Sequence, residues 1–142
     1  MDQILSGLRI LVVEDDEDAR DMLAHALGGW GADVRVAGSA DQARCALGVQ
    51  TPDIIVSDIG LPEEDGCTLM RSIRSLPNGL ECSIPAVALT AFSTASMRAR
   101  ALSSGFDVYL VKPVQPWILA QLIREMTSAP SSEECPPAPC GR

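Results

Sequence analysis

Residues 8–20 read LRILVVEDDEDAR. An apolar, largely branched run, Arg9–Val13, meets an unbroken row of acids from Glu14 to Asp18. A short run of that kind is a buried strand. The acids divide into two groups. Glu17 and Asp18 suit the positive end of a helix that begins there. Glu14 and Asp15 follow the strand too closely for that account, so they stand at its carboxyl end. The stretch therefore reads as strand, acidic corner, helix.

Working outward, the same cycle recurs. A helix over residues 16–30 carries Ala19, Leu23, Ala26, Leu27 and Trp30 on one face and is stopped by Gly28, Gly29 and Gly31. DVRVA over residues 33–37 is a second strand. Ser39 caps a helix that runs to about Val49, with Ala43, Ala46 and Leu47 inward. Pro52 breaks the chain, and DIIVS over residues 53–57 is a third strand. A helix from Asp65 to about Leu76 turns Leu69, Met70 and Ile73 inward, and Pro77, Asn78 and Gly79 form a loop. Ala86–Leu89 is a fourth strand. Thr94–Ser104 is a helix ended by Gly105, and DVYLV over residues 107–111 is a fifth strand. Pro116 opens a last helix bearing Ile118, Leu119, Leu122, Ile123 and Met126.

Strands that are continuous apolar runs, alternating with amphipathic helices, predict a parallel sheet covered on both faces. The expected fold is a three-layer, doubly wound α/β domain with a five-stranded parallel sheet. It spans residues 8–127, after a short extension over residues 1–7. Residues 128–142 are rich in proline, without periodicity, and read as a disordered tail or linker.

Composition narrows the function. The chain has 142 residues and a formal net charge of -8, so direct binding to nucleic acid is not expected. No apolar run is long enough for a membrane helix. The N-terminus shows no basic segment followed by an apolar one, so a cytoplasmic protein is expected. Cys45, Cys67 and Cys82 are scattered through the body, and Cys135 and Cys140 lie in the tail. No pair has C-x-x-C spacing and His25 is the sole histidine, which argues against zinc. The body cysteines read as reduced, small apolar filler. His25 has no partner in sequence and is assigned no role.

In an open parallel sheet, ligands bind at the carboxyl ends of the strands. The first strand ends in Glu14-Asp15-Asp16, the third in Asp58, the fourth in Thr90 and the fifth in Lys112. Clustered carboxylates repel one another unless a cation neutralises them. All-oxygen donors suit a hard cation such as Mg2+. An aspartate beside Mg2+ can attack a phosphoryl group. Lys112 then offers a positive charge and Thr90 a hydroxyl donor. Asp16 either joins the acids or only caps the first helix. A phosphate-binding G-x-x-x-x-G-K-[ST] loop is absent, and acids stand where a dinucleotide fold needs its glycines. A dehalogenase-like phosphatase has a second aspartate two residues after its nucleophile, where this chain has Gly60.

Four segments, LRILVVEDDEDAR, PDIIVSDIGLPEEDG, VALTAFS and GFDVYLVKPV, resemble the receiver domain of two-component response regulators. The resemblance covers roughly Leu8–Met126 and implies a flavodoxin-like (βα)5 fold. It implies phosphorylation of Asp58, with Asp15 a direct Mg2+ ligand, Glu14 acting mainly through water, and the Gly60 carbonyl a further ligand. Thr90 matches the switch hydroxyl, and Lys112 the lysine that pairs with phosphate. Lys112-Pro113 matches a cis peptide. Tyr109 matches the switch aromatic, or is a half-buried core tyrosine. The implied donor is a histidine kinase or a histidine phosphotransfer protein. Ala19 and Met22 lie on the helix flank that meets it, or else fill the core. The face formed by the fourth helix, fifth strand and fifth helix, including Met97, Arg98 and Tyr109, is a possible homodimer surface. Gly60 and Phe92 flank the phosphoryl position and imply slow self-hydrolysis. Such a domain is a phospho-accepting switch that catalyses its own phosphorylation, not a turnover enzyme. The alternative is a non-phosphorylated scaffold, which usually lacks an acid or the lysine. A stand-alone regulator and a receiver excised from a hybrid kinase both fit the sequence.

Overall fold

Five short strands form one wholly parallel sheet: β1 (Arg9–Val13), β2 (Asp33–Ala37), β3 (Ile54–Asp58), β4 (Ala86–Thr90) and β5 (Val108–Val111). The computed structural model describes residues 3–61, 64–75, 84–91 and 93–128. The strand order is β2-β1-β3-β4-β5. Helices α1 (Glu17–Gly29), α2 (Ala40–Val49), α3 (Gly66–Arg74), α4 (Ala95–Ser104) and α5 (Pro116–Ser128) alternate with the strands. The expected loop over residues 77–79, Phe92, Cys82 and the tail with Cys135 and Cys140 lie outside the described residues.

Period-two alternation divides each strand between two cores. Leu11, Val13, Ile55, Ala86 and Ala88 point to one face, against Ala43 and Leu47 of α2, Leu69, Met70 and Ile73 of α3, and Ala101 of α4. Ile10, Val12, Ile54, Val56, Val87 and Leu89 point to the other, against Leu23 and Leu27 of α1 and Leu119, Ala120 and Ile123 of α5. Helices on both faces explain why β1, β3 and β4 are buried along almost their whole length. Strand β2 departs from the expected continuous burial. It is an edge strand, only Ala37 is buried, and Val36 is 46% exposed.

The starts of α1, α3 and α4 shift by a residue because an acid or hydroxyl caps each, while Ser39 caps α2 as expected. Asp16, Ser39, Asp65 and Thr94 stand just before α1–α4, each accepting a backbone N–H of the first turn. Asp53 stays outside β3 because its carboxylate accepts the Arg9 N–H at 2.7 Å. Asp107 stays outside β5 for the same reason, accepting the Ala86 N–H at 2.9 Å. Both acids thereby close the start of a neighbouring strand. Gly105 ends α4 at φ 120, in the left-handed region.

Two packing expectations need correction, and one residue ahead of β1 joins the core. Ile118 is 46% exposed, because the buried arc of α5 is Leu119, Ala120 and Ile123. Cys45 is exposed and fills no core, whereas Cys67 is fully buried. Leu5, in the segment read as an extension, is 0% exposed within the α1–α5 core, and its N–H donates to the Trp30 carbonyl at 2.9 Å.

Candidate functional site

The carboxyl ends of β1, β3, β4 and β5 bring Glu14, Asp58, Thr90 and Lys112 to one edge of the sheet. Glu14 continues the β1–β2 pairing by donating its N–H to the Ala37 carbonyl at 2.9 Å. That bond holds the side chain under the surface, where it is 2% exposed. One carboxylate oxygen, Oε2, accepts the Asp16 N–H at 3.2 Å. The other, Oε1, accepts from Lys112 Nζ at 2.8 Å. Asp58 closes β3, and its Oδ1 accepts the Gly60 N–H at 3.2 Å. Its Oδ2 lies 3.3 Å from Lys112 Nζ. One ammonium thus spans two carboxylates that would otherwise repel each other.

The base of Lys112 is fixed by β4: the Thr90 carbonyl accepts its N–H at 2.7 Å. Thr90 itself is 1% exposed. The Lys112-Pro113 peptide is cis, as the resemblance implies. Tyr109 is half-buried and packs with Met97 against the α2–α4 core.

Burial pushes the Glu14 carboxyl above the ordinary glutamate range, and the neighbouring Asp58 charge adds to this against the pull of Lys112. For Lys112, burial alone would lower the pKa, but the hydrogen bond it donates to Glu14 and the negative charges of Asp58 and Glu14 outweigh it and leave the ammonium favoured. The lysine is therefore held charged, while the carboxylates remain under-compensated.

The fit to a metal ion follows from the same cluster. One carboxylate oxygen each from Glu14, Asp15 and Asp58 lie within 4.8 Å of one another. Asp15 is exposed, and the other two are buried. No nitrogen or sulfur donor belongs to this group. Oxygen-only donors with surplus negative charge fit a hard divalent cation. Asp16 is outside the group, and its side chain caps α1 by accepting the Asp18 N–H at 3.2 Å. Gly60 is exposed, with open space where a Cβ would stand.

Ala19 and Met22 do not fill the core. Met22 is 51% exposed. Both line a cavity of about 440 Å3 beside Glu14 and Lys112, with Leu23, Leu89, Pro113 and Val114 as its apolar wall. Met97 is half-buried and Arg98 exposed on α4. His25 is exposed. Among the polar contacts that went unread in the sequence, Arg44 of α2 bonds Glu64, and Arg100 of α4 bonds Asp65. The partners are 20 and 35 positions apart, so no local spacing marks them.

Comparison with known proteins places this arrangement. Residues 10–124 match the family described as the response regulator receiver domain. An uncharacterized 14.6 kDa protein of Leptolyngbya boryana is 44% identical over 123 residues, covering 87% of this chain and 92% of that protein. The virulence transcriptional regulatory protein PhoP of Salmonella typhimurium is 40% identical over 106 residues, 75% of this chain but 46% of that protein. The chain thus spans about half the length of that regulator. The crystal structure of the receiver domain of a signal transduction histidine kinase from Syntrophus aciditrophicus superimposes with a TM-score of 0.80 at 30% identity, covering 92% of this chain and 97% of that one. A CheY-like receiver domain protein from Methanospirillum hungatei superimposes with a TM-score of 0.76 at 27% identity, covering 84% and 93%. Among the described residues, no helix is long and apolar enough to cross a membrane. The chain belongs to the family of response regulator receiver domains, the signalling switches of two-component systems.

Proposed function

We propose that this receiver accepts a phosphoryl group on Asp58 from a histidine kinase or a histidine phosphotransfer protein, with Mg2+ as cofactor. The observation that carries the reading is the buried pair Glu14 and Asp58 bridged by Lys112, with Asp15 beside them. The carboxylates of Glu14, Asp15 and Asp58 and the Gly60 carbonyl would hold the ion, with Asp15 binding directly and Glu14 mainly through water. Bound there, Mg2+ supplies charge neutralisation for the incoming phosphoryl oxygens.

The chain's own residues do the rest. An Asp58 carboxylate oxygen forms a bond to phosphorus while the bond from phosphorus to the donor breaks, and the leaving group takes the electron pair. Lys112, already within reach of Asp58, exchanges its carboxylate contact for the new phosphoryl oxygens. The Thr90 hydroxyl donates to the same group, and Tyr109, which packs on the same core as Met97 of α4, follows it. The α4-β5-α5 face is thereby altered, as a docking or homodimer surface that includes Arg98. The domain is a switch, and it catalyses its own phosphorylation.

Ala19 and Met22 are proposed to receive the phosphodonor protein, since both line the cavity beside Lys112. Met22→Glu then slows transfer from a histidine kinase at least tenfold, as placing a charge in a desolvated contact does, while labelling by acetyl phosphate is unchanged. Equal loss in both reactions would remove the docking assignment.

The phospho-acceptor reading is tested with Mg2+ and beryllofluoride, a phosphoryl mimic. Ligand that binds only the folded chain raises its melting temperature. A rise in the natural protein, absent in Asp58→Ala, is expected. No rise in either would favour a scaffold that is not phosphorylated.

A further inference from the structure

We infer that Arg44 is a positioning residue for Asp58, acting through the first turn of α3; the inference rests on Asp58 being the phospho-acceptor. The Arg44 guanidinium uses all three of its nitrogens. Nε donates to Ser72 Oγ at 3.3 Å, and Nη2 to the same oxygen at 3.0 Å. Nη1 donates to Glu64 Oε1 at 2.9 Å and to Asp41 Oδ1 at 3.3 Å. Nη2 also bonds Glu64 Oε2, completing a two-pronged fork. Ser72 Oγ in turn donates to the Leu69 carbonyl at 2.8 Å. One side chain of α2 therefore grips both the residue before the α3 cap and the last turn of α3.

What that grip holds is the peptide of Asp58. Glu64 is followed by Asp65, the α3 cap that accepts the Thr68 N–H at 2.8 Å, and then by Gly66. The Gly66 N–H donates to the Ile59 carbonyl at 2.8 Å. A Cβ on Gly66 would stand 2.5 Å from the Asp58 carbonyl oxygen and 3.0 Å from Ile59 Cα. The first turn of α3 thus lies in direct contact with the backbone that aims the Asp58 carboxylate. A small displacement of residues 64–66 is passed to Asp58, and a misplacement of about 1 Å can slow a reaction on the order of a hundredfold.

A lone surface ion pair would not suffice, because such pairs contribute little. Arg44 differs in being forked and in sharing its guanidinium with a hydroxyl. Arg100, which bonds Asp65 through one nitrogen from exposed α4, supplies the comparison: it lacks the fork and the second anchor.

The test compares Arg44→Met, Glu64→Met, the double variant and Arg100→Met. Amide hydrogen exchange is read first, in metal-free protein. The Gly66 and Leu61 amides exchange roughly tenfold faster in Arg44→Met and Glu64→Met, while the Val12 amide in β1 keeps its rate. The double variant matches the single ones, because both remove one interaction. The acetyl phosphate labelling rate of Asp58 falls by a similar factor, and Arg100→Met has a smaller effect on both readouts. Unchanged exchange at Gly66, or exchange that rises equally at Val12, overturns the clamp. Faster exchange with full labelling overturns the positioning role and leaves only a structural one. If the natural protein takes no label at all, the phospho-acceptor reading fails instead, and exchange alone then decides whether the clamp exists.

Discussion

Lys112 joins two carboxylates that burial would rather keep apart. Glu14 is held down by a strand bond and Asp58 by the end of β3, so their charges cannot separate. Removing the lysine leaves both without their shared partner, and an unpaired buried charge is costly. Lys112→Met is expected to destabilise metal-free protein by about 1–3 kcal/mol, below the range for a fully buried pair because the lysine is 30% exposed. Added Mg2+ should restore more stability to this variant than to the natural protein, since the cation replaces the missing charge. Urea unfolding with and without Mg2+ reads both effects, and equal Mg2+ gains in the two proteins would contradict the charge argument. At this scale the sequence was informative because each of these side chains stands at the end of an apolar strand. Asp16 could not be resolved from its type alone. It stands beside the acids in sequence, but α1 begins at the next residue and claims its carboxylate as a cap.

Helix α3 shows how an element is tied to the site it borders. Asp65 is its cap, and its carboxyl lies below the ordinary aspartate range. Burial acts to raise that pKa, but the Thr68 N–H bond and the Arg100 guanidinium outweigh it. A lowered folded-state pKa means that the charged form stabilises the fold. That stability is complete above the unfolded-state pKa and is lost as pH falls through the lowered folded-state value. Asp65→Ala should therefore lower stability by about 1 kcal/mol at neutral pH, the usual value of a helix cap. The gap between the variant and the natural protein should shrink as the solution is acidified below the aspartate range. Denaturation midpoints across pH check this, and a gap that persists unchanged in strong acid would contradict it. The elements themselves were legible because strand and helix periods differ and prolines, glycines and capping residues separate them. The starts of β3 and β5 were not. Asp53 and Asp107 extend the apolar runs in sequence, yet each bonds the first N–H of the neighbouring strand, a long-range contact that local pattern does not encode.

For the whole molecule, the two cores on either face of the sheet explain both what sequence showed and what it hid. The α1–α5 core includes Leu5, which closes its end near Trp30. Leu5→Ala should cost about 2–4 kcal/mol, the usual range for a large apolar side chain removed from a core. An unchanged urea midpoint would mean that the segment before β1 is only laid on the surface. The segment looked like an extension because a single turn of chain has no period to read. Ile118 misled in the opposite direction, since the phase of α5 is set by the sheet beneath it and not by composition. The parallel order itself was legible from apolar strands alternating with helices, and it is this order that gathers four strand ends at Asp58. Incubating the protein with acetyl phosphate and Mg2+ and recording intact mass tests that convergence most directly. One added phosphoryl group, dependent on Mg2+ and absent in Asp58→Ala, is the expected result; an adduct that persists in Asp58→Ala would contradict the assignment of the site.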